Sequence, residues 1–475
     1  MPARCPVEGL PDRGELAATS DQIHVTSLDT VRSGRRAPVR RLLLRRVSDL
    51  IASTPGTREG EAVVFTGSNL PAVGEYNQTV VLDAIRRHPH GSTRSKLATF
   101  TGLSSMTVAN VCRRLLASGL VEERGTHVNG PGKPAAILRL NPGGGFAIGV
   151  HIDPAVVTYV LVDLAGEVRD HTRSGTPSAQ DPESVIDEMA RSIDALITTS
   201  GVDRSRLLGI GIATPGPVNI EDGIVLNPPM LPHWHRVPLR TALSAATGLP
   251  VLLEKDVTAA AVAELWYAEP SDSRDFAFMY YGTGLGTGIA VAGEVVRGIS
   301  SNAGDPGHMT VDPEGPLCVC GRRGCVGYSV VPRALIEKAQ SLGILDGKLA
   351  PGAEGIPQID EAFTRLAALA EAGDAPAHAV IADAARQLAR AVVVIVNLLD
   401  IERVIFGGPF WSRVAPIVLD VLPGVVRSDP ALVPPHEVRF TESVIPVDVA
   451  AVGAASLVFD STFSPRPSTL LIAAG

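Results

Sequence analysis

The chain of 475 residues is longer than one compact core usually serves, so we expect at least two domains. Its hydrophobic content of 45% is enough to build buried cores, while no apolar run reaches the roughly 18 residues that span a bilayer. No apolar stretch near the start precedes a small-residue cleavage site. The sequence therefore predicts a protein without membrane association and with a cytoplasmic location.

Charge is distributed unevenly along the chain. A net charge of −8 argues against nucleic-acid binding if the protein is taken as a whole. Residues 1–140 nevertheless hold 19 Lys and Arg against 12 Asp and Glu, which gives them +7 and leaves −15 for the remainder. A basic N-terminal part followed by an acidic remainder is the asymmetry expected when one end of a protein binds the phosphates of a nucleic acid.

Residues 1–70 show no sustained periodicity, which predicts a disordered N-terminal extension. An arginine cluster between Arg35 and Arg46 allows a second interpretation, in which this segment is an arm that touches DNA phosphates. A misassigned start codon is a third.

Residues 71–141 follow the pattern of a winged helix-turn-helix. An apolar face that ends near Ile85 predicts a first helix, Thr93 caps a second, and a third is expected over about 105–117. Three short helices with a glycine-containing turn before the third are typical of the helix-turn-helix. Two short strands around the glycine-rich loop 129–134 would form the wing.

The third helix carries the features of a recognition helix. Such a helix needs small polar residues at its start, where the backbone approaches the bases, and cations further along to hold phosphate. Asn110 can also make a bidentate hydrogen bond to adenine. Each residue alone is better explained by helix capping or solvent exposure, but the set together with Arg94, Lys96 and Lys133 favours DNA. The predicted DNA contacts are Arg94, Lys96, Ser104, Ser105, Thr107, Asn110, Arg113, Arg114 and Lys133.

Four residues have the chemistry of a metal site. His308, Cys318, Cys320 and Cys325 offer one imidazole and three thiolates, a ligand set that suits tetrahedral Zn²⁺. Glycines in the segment 321–324 let the chain fold back between the cysteines. Such a closed site would be structural, because no position remains for water. The alternative is three buried free cysteines.

Beyond Asn141 the pattern changes to α/β. A hairpin of two strands is predicted at 146–152 and 158–163, and further buried strands are predicted at 208–213 and 276–281, with helices between them. The run Gly282–Gly288 follows the last of these strands and has the glycines and hydroxyls of a phosphate-binding turn, although such a loop alone is a weak signal.

A family resemblance covers almost the whole chain. Gly304–His308 together with Cys318–Cys325 closely resembles the zinc signature of the ROK family (repressor, open reading frame, kinase), and Ile210–Val218, Leu231–Trp234 and Gly407–Gly408 are also similar to ROK segments. The resemblance implies a two-lobed, actin-like ATPase fold over residues 146–462, preceded by the winged helix-turn-helix domain. It also implies a sugar or sugar derivative as the ligand in the cleft.

The sequence departs from the family at several motifs, including Glu-x-Gly-His, which appears as Asp305-Pro306-Gly307-His308, and a glutamate after the last cysteine, which is replaced by Gly327. ROK sugar kinases have an Asp-x-Gly-Gly-Thr-Lys phosphate loop, whereas residues 151–156 read His-Ile-Asp-Pro-Ala-Val, so we expect ATP to bind poorly or not at all. The family's Glu-Asn-Asp motif appears as Glu254-Lys255-Asp256, which retains the aspartate that would act as base. We interpret Lys255 as either a surface side chain or a contact to an acidic ligand.

By resemblance, the effector contacts are Glu254, Asp256, Asp305 and His308. His308 would use one ring nitrogen for zinc and the other for a ligand hydroxyl, so the metal would fix part of the pocket.

The sequence therefore predicts a DNA-binding transcriptional repressor of carbohydrate-related genes and not an enzyme. Its expected partners are a roughly palindromic double-stranded DNA operator, a sugar-like effector, and further copies of itself in a homodimer or homotetramer. The alternative is an ATP-dependent sugar kinase that uses Asp256 as base. A third hypothesis is a module whose cleft responds to another protein.

Overall fold

The computed structural model describes residues 70–127, 134–175, 181–229, 231–269, 272–350 and 355–465, all within one compact unit. The extension predicted for residues 1–70 therefore lies outside the described residues, except for Leu70. None of the described helices is long and apolar enough to cross a membrane.

Residues 70–140 form three helices and a two-stranded sheet, which we call the N-terminal unit. The Thr93 hydroxyl caps the second helix by accepting from the Lys96 N–H at 3.4 Å, as the sequence predicts. The Ser104 hydroxyl caps the third helix by accepting from the Thr107 N–H at 3.1 Å. The first helix begins at Leu70. The elements are α1 (Leu70–Arg86), α2 (Arg94–Thr101), α3 (Ser105–Ala117), β1 (Val121–His127) and β2 (Ala135–Leu140), with β1 and β2 antiparallel.

The next part of the chain forms the first lobe, a five-stranded mixed sheet with helices on its outer face. The predicted hairpin and the predicted strand at 208–213 are present. A third strand, which extends the hairpin into an antiparallel meander, was not predicted from the sequence. That strand, Val168–Ser174, is an edge strand with mostly polar, exposed residues, so it lacks an apolar signal. The strands are β3 (Phe146–Ile152), β4 (Val157–Asp163), β5 (Val168–Ser174), β6 (Leu207–Thr214) and β9 (Val251–Lys255), in the order β5-β4-β3-β6-β9. The helices are α4 (Pro182–Ser200) and α5 (Leu239–Thr247), and β7 (Val218–Asn219) and β8 (Ile224–Val225) form a small hairpin.

The second lobe repeats this topology. Its sheet also begins with an antiparallel meander of three strands, and two parallel strands then add on the other side of the first. The strands are β10 (Phe276–Tyr281), β11 (Leu285–Val291), β12 (Glu294–Val295), β13 (Arg403–Gly407) and β14 (Arg439–Glu442), in the order β12-β11-β10-β13-β14. The outer helices are α7 (Pro332–Ser341), α8 (Ile356–Glu371), α9 (Ala375–Leu399) and α10 (Ala415–Ser428).

Two helices, α6 (Asp256–Tyr267) and α11 (Val449–Phe463), pack between the two sheets. Alanine-rich sequences allow them to approach neighbouring backbones closely. A Cβ added to Gly211 of β6 would lie 1.8 Å from the Ala454 carbonyl oxygen of α11, and one added to Gly453 of α11 would lie 2.1 Å from the Ala259 carbonyl oxygen of α6. The glycines therefore fix the spacing between the first sheet, α11 and α6.

This close packing predicts that Gly211→Ala is strongly destabilising. The added methyl group would overlap a helix backbone that cannot move without separating α11 from the sheet, so we expect the free energy of unfolding to fall by about 3 kcal/mol. Gly424→Ala is the control, because Gly424 is an exposed residue of α10 with open space around it, and this change should stabilise by up to about 1 kcal/mol. Urea denaturation of both variants measures the difference, and equal loss in both would contradict the packing argument.

Candidate functional site

The predicted DNA contacts on α3 lie at its start and along its exposed side. Ser104 and Thr107 are partly used in capping, since their hydroxyl oxygens are 2.9 Å apart. Ser105 and Asn110 are exposed, and the Asn110 side chain has no hydrogen bond to any described residue. Met106 is 71% exposed one turn before Asn110, but it is not among the DNA contacts predicted from the sequence. A methionine among small polar residues at the start of a helix is the sequence signal that could have identified it as a candidate contact.

The predicted phosphate contacts differ in their surroundings. Lys96 and Arg113 are exposed and unpaired with any described side chain, whereas Arg94 donates to the Glu123 carboxylate on β1 at 2.7 Å. Arg114 is exposed and donates to the Gly74 carbonyl at 3.4 Å, which orients it over α1. Lys133 lies outside the described residues.

The four predicted metal ligands converge. His308, Cys318, Cys320 and Cys325 each bring a ligand atom within 4.8 Å of the others. Cys320 Sγ lies 3.6 Å from Cys325 Sγ, and Cys318 Sγ lies 3.5 Å from His308 Nδ1.

The distances and the backbone both fit a tetrahedral ion. Bond lengths of about 2.3 Å to sulfur and about 2.1 Å to nitrogen place neighbouring ligand atoms about 3.5–3.8 Å apart, whereas a disulfide would need about 2.05 Å. The Cys318 N–H donates to the Arg322 carbonyl at 2.7 Å, which closes the knuckle. Gly324 has φ +62°, and a Cβ there would lie 1.5 Å from the Asp312 carbonyl oxygen, so only glycine fits.

The electrostatics of the cluster also favour a cation. Burial and the two neighbouring cysteines raise the pKa of the Cys325 thiol to about 12. Ionisation of Cys325 is therefore costly without a cation, and a bound metal ion would displace its proton. The pKa of Cys320, in contrast, is lowered, mainly because the Arg322 N–H donates to its sulfur.

The cluster predicts that Cys325→Ser abolishes metal binding. Purified wild-type protein should hold about one zinc ion per chain, and the variant should hold little, because serine is a poor ligand for zinc in a four-ligand structural site. Elemental analysis by plasma mass spectrometry measures the content. Cys112→Ser, which changes a buried cysteine of the N-terminal unit, should keep the full complement. Zinc-free wild-type protein would overturn the metal site.

The cleft lies where the parallel strands of the first lobe end and α6 begins. Asp153, just after β3, is buried, and Asp256, the first residue of α6, is half-buried; both lie near the Tyr280 hydroxyl. Burial raises the pKa of each carboxyl to about 6, and for Asp256 the nearby Asp153 adds to the rise. His151 is also buried, and its Nε2 has no described hydrogen-bond partner. The sequence predicted no ligand role for Asp153 or His151.

The turn after β3 has no backbone donors to spare for a phosphate. Asp153 and Val156 exchange both of their backbone hydrogen bonds, at 3.0 and 3.2 Å. The Ala155 N–H donates to Asp153 Oδ1 at 2.8 Å, and Pro154 has no N–H. Phosphate-binding turns work through outward-facing N–H groups, so this turn lacks the required chemistry.

Part of the glycine run predicted as a phosphate-binding turn forms a hairpin, and part lies within β11. Residues 282–284 connect β10 to β11 as a tight hairpin, in which the Gly282 N–H donates to the Gly284 carbonyl at 2.9 Å. Gly286 and Gly288 lie inside β11 and pack against Val257 at the start of α6. The glycines there serve close packing.

The predicted effector contacts are not equally available. Glu254 is buried, and its carboxylate accepts from Arg297 Nε at 2.6 Å and from the Lys255 N–H at 3.1 Å. Asp305 and His308 are exposed, and Asp305 Oδ1 accepts from the Gly307 N–H at 3.2 Å. Because His308 Nδ1 faces Cys318, its Nε2 is the nitrogen left for a ligand.

Lys255 is not the surface side chain that was one of its two interpretations from the sequence. It is only 8% exposed, which rules out the surface side chain, and its ammonium group donates to the Asn302 and Ala303 carbonyls at 3.4 and 3.3 Å. Asn302 in turn accepts from the Val218 N–H at 2.8 Å. Together with Arg297, these contacts join the segment 297–303 after β12 to the first lobe across the cleft.

The raised pKa of Asp153 predicts a pH-dependent stability. The folded chain keeps this proton up to about pH 6, but the unfolded chain releases it near 3.8, so the free energy of unfolding falls as pH rises from about 4 to 6. Asp153→Asn keeps the acceptor for Ala155 and removes the charge, so we expect it to stabilise by on the order of 2 kcal/mol at pH 7.5 and to have little effect at pH 4.

Denaturation curves at the two pH values test this. Asp187→Asn on the exposed side of α4 is the control and should change stability by less than about 0.5 kcal/mol at either pH. An Asp153→Asn variant that is less stable than the wild type at pH 7.5 would show that the carboxylate has a partner.

The repeated mixed sheets around two central helices, with a cleft between the lobes, define the class: an actin-like fold of the sugar-kinase type. The sequence profile of the ROK family matches residues 147–460, and the chain belongs to that family.

Relatives of the chain include regulators and kinases. The xylose repressor of Caldicellulosiruptor bescii is 28% identical over 318 residues, which are 66% of this chain and 78% of the relative. The glucokinase of Thermotoga maritima is 31% identical over 318 residues, covering 66% of this chain and 96% of the enzyme. The crystal structure of a ROK family transcriptional regulator, a homolog of the E. coli MLC protein, superposes with a TM-score of 0.66 at 24% identity, covering 84% of this chain and 99% of the other.

Proposed function

We propose that the protein is a DNA-binding transcriptional repressor of carbohydrate-related genes, controlled by a sugar-like effector. In this proposal, residues 71–141 form a winged helix-turn-helix domain, residues 146–462 form the effector domain, and the protein acts as a homodimer or homotetramer. The observation that carries it is the combination of an exposed polar and basic side of α3 with a ROK domain whose first turn has no donors for phosphate. Relatives named as repressors support the same conclusion.

In the proposed DNA complex, α3 enters the major groove. Ser105 and Asn110 approach base edges, while Lys96, Arg113 and Arg114 neutralise phosphates on either side. Lys133 would reach the DNA from the loop between β1 and β2. Two copies of this unit in a symmetric dimer would read a palindromic operator.

In the effector domain, Asp256, Asp305 and the free nitrogen of His308 contact the sugar. A bound zinc ion would hold His308 and the segment around it in place, so its role is structural. Glu254 acts indirectly in this proposal, because Arg297 and the backbone already occupy its oxygens.

The alternative, a sugar kinase with Asp256 as base, is favoured by two observations. A carboxyl whose pKa is about 6 is suited to accept a proton from a sugar hydroxyl, and a glucokinase is among the relatives. It requires bound ATP, for which the turn at residues 153–156 is unsuited. A coupled ATP-consumption assay with D-glucose and D-xylose separates the two, and turnover at the ordinary kinase rate of about 1 per second or more would replace our proposal.

The proposal is tested by selecting duplexes that bind the protein from random-sequence DNA. We expect a palindromic site to be enriched, and its affinity to change when D-xylose, D-glucose or a related sugar is added. Failure to enrich any sequence would contradict DNA binding.

The recognition-helix assignment predicts that Arg114→Ala weakens binding to the selected duplex in a salt-dependent way. Loss of one phosphate contact should reduce the slope of log affinity against log salt by about one. Arg427→Ala on α10 is the control, since it removes the same charge from an exposed position in the second lobe. Fluorescence anisotropy titrations from low to high salt measure both, and parallel lines for wild type and Arg114→Ala would exclude the assigned contact.

A further inference from the structure

We infer that α6 is the element through which the cleft controls the N-terminal unit. The contact between Arg86 and Trp266 transmits the position of α6 to that unit. This inference rests on the proposed function, because it assumes that DNA and an effector bind at the two ends. It names a regulatory contact that lies far from both proposed binding surfaces.

At the C-terminal end of α6, the Arg86 side chain contacts residues of both the N-terminal unit and α6. Its guanidinium lies 4.3 Å above the centre of the Trp266 ring and donates to the Trp266 carbonyl. Its other nitrogens donate to Asp83 Oδ1 at 2.6 and 3.2 Å. The side chain is only 8% exposed, so its orientation is fixed and the contact is strong.

Trp266 is itself held by the first lobe. It is 7% exposed and stacks on Phe459 of α11, with ring centres 5.7 Å apart. The next residue, Tyr267, donates its hydroxyl to the Gly166 carbonyl at 2.6 Å. The last turn of α6 thus joins α1, α11 and the loop after β4, and any displacement of it must displace Arg86.

The other end of α6 forms the cleft. Its first residue is Asp256, and Lys255 immediately before it holds the segment 297–303. The helix has 12 residues, so its ends are about 18 Å apart. A ligand that moves Asp256 acts directly on the helix whose last turn carries Trp266.

Close packing in the first half of α6 favours its movement as a rigid body. Close backbone contacts flank it on two sides: a Cβ added to Gly288 would lie 2.3 Å from the Val257 carbonyl oxygen, and one added to Gly453 would lie 2.1 Å from that of Ala259. Packing this close resists bending. At the far end, Leu82, Leu164 and Phe463 surround the Arg86 contact.

Binding linkage supplies a test that does not depend on the identity of the sugar. If the cleft and the DNA-binding surface are coupled, operator DNA must alter the cleft to the same extent that a cleft ligand alters DNA affinity. Hydrogen exchange of residues 251–258, measured with and without the selected operator duplex, therefore reports the coupling. In the wild type we expect the duplex to change the exchange rates there several-fold.

Arg86→Met removes the cation but keeps an unbranched side chain of similar length over Trp266. We expect this variant to bind the duplex within about threefold of the wild type and to lose the duplex-induced change at 251–258. A sugar that alters wild-type DNA affinity by about tenfold should alter that of the variant by less than about twofold. Arg86→Lys, which keeps the charge, should retain part of the coupling and replaces Arg86→Met if the latter does not fold.

Arg87→Met is the matched control. Arg87 directly follows α1 and donates to the carboxylate of the same Asp83 at 2.6 Å, but it does not lie over Trp266. It should keep the wild-type response. The inference is overturned if Arg86→Met retains the duplex-induced change, if Arg87→Met loses it equally, or if the wild type binds the duplex with no change at 251–258. Failure to select any duplex instead overturns the proposed function, and the coupling with it.

Discussion

The contact of α11 with the first sheet sets the positions of the other elements. Gly149 and Gly211 lie on neighbouring parallel strands, and each has a helix carbonyl where a side chain would begin. Because α11 is pressed onto the sheet in this way and α6 is pressed onto α11 through Gly453, the two central helices have no freedom to adjust separately. The second sheet then packs on α6 through Gly288. One layer of small residues therefore fixes the distance between the lobes and the place where the cleft opens.

Within that framework the cleft combines two carboxyl groups with a first turn that has no free backbone donors for phosphate. Burial raises the pKa of Asp153 and of Asp256, the nearby Asp153 raises that of Asp256 further, and the N–H groups after β3 are used within the turn. An incoming triphosphate would meet these carboxyl groups at the turn, whereas sugar hydroxyls can donate to carboxylates. The same residues that disfavour nucleotide are therefore compatible with a neutral, hydroxyl-rich ligand.

Local signals in the sequence were sufficient for some parts of the structure and insufficient for others. The bounds of α3, the hairpin of β3 and β4 and the convergence of His308 with three cysteines follow from caps, periodicity and spacing, which act over short distances. The burial of Lys255 and the pairing of Glu254 with Arg297 depend on residues about 45 positions away, so no local pattern could predict them. The contact of Arg86 with Trp266 joins residues 180 positions apart, and only the fold brings them together.

The two ends of α6 differ in how they are held, and that difference has a physical consequence. At the cleft end, Lys255 makes long hydrogen bonds of 3.3 and 3.4 Å to carbonyls, and Gly304 packs beside Val257 on the chain that leads to His308. At the other end, a buried guanidinium is bound by a carboxylate, a carbonyl and an aromatic ring at once. We therefore expect a ligand at the cleft to rearrange the Lys255 contacts first, while the shorter ion pair between Glu254 and Arg297, at 2.6 Å, still joins the lobes. The N-terminal unit would remain attached to α6 and follow its motion.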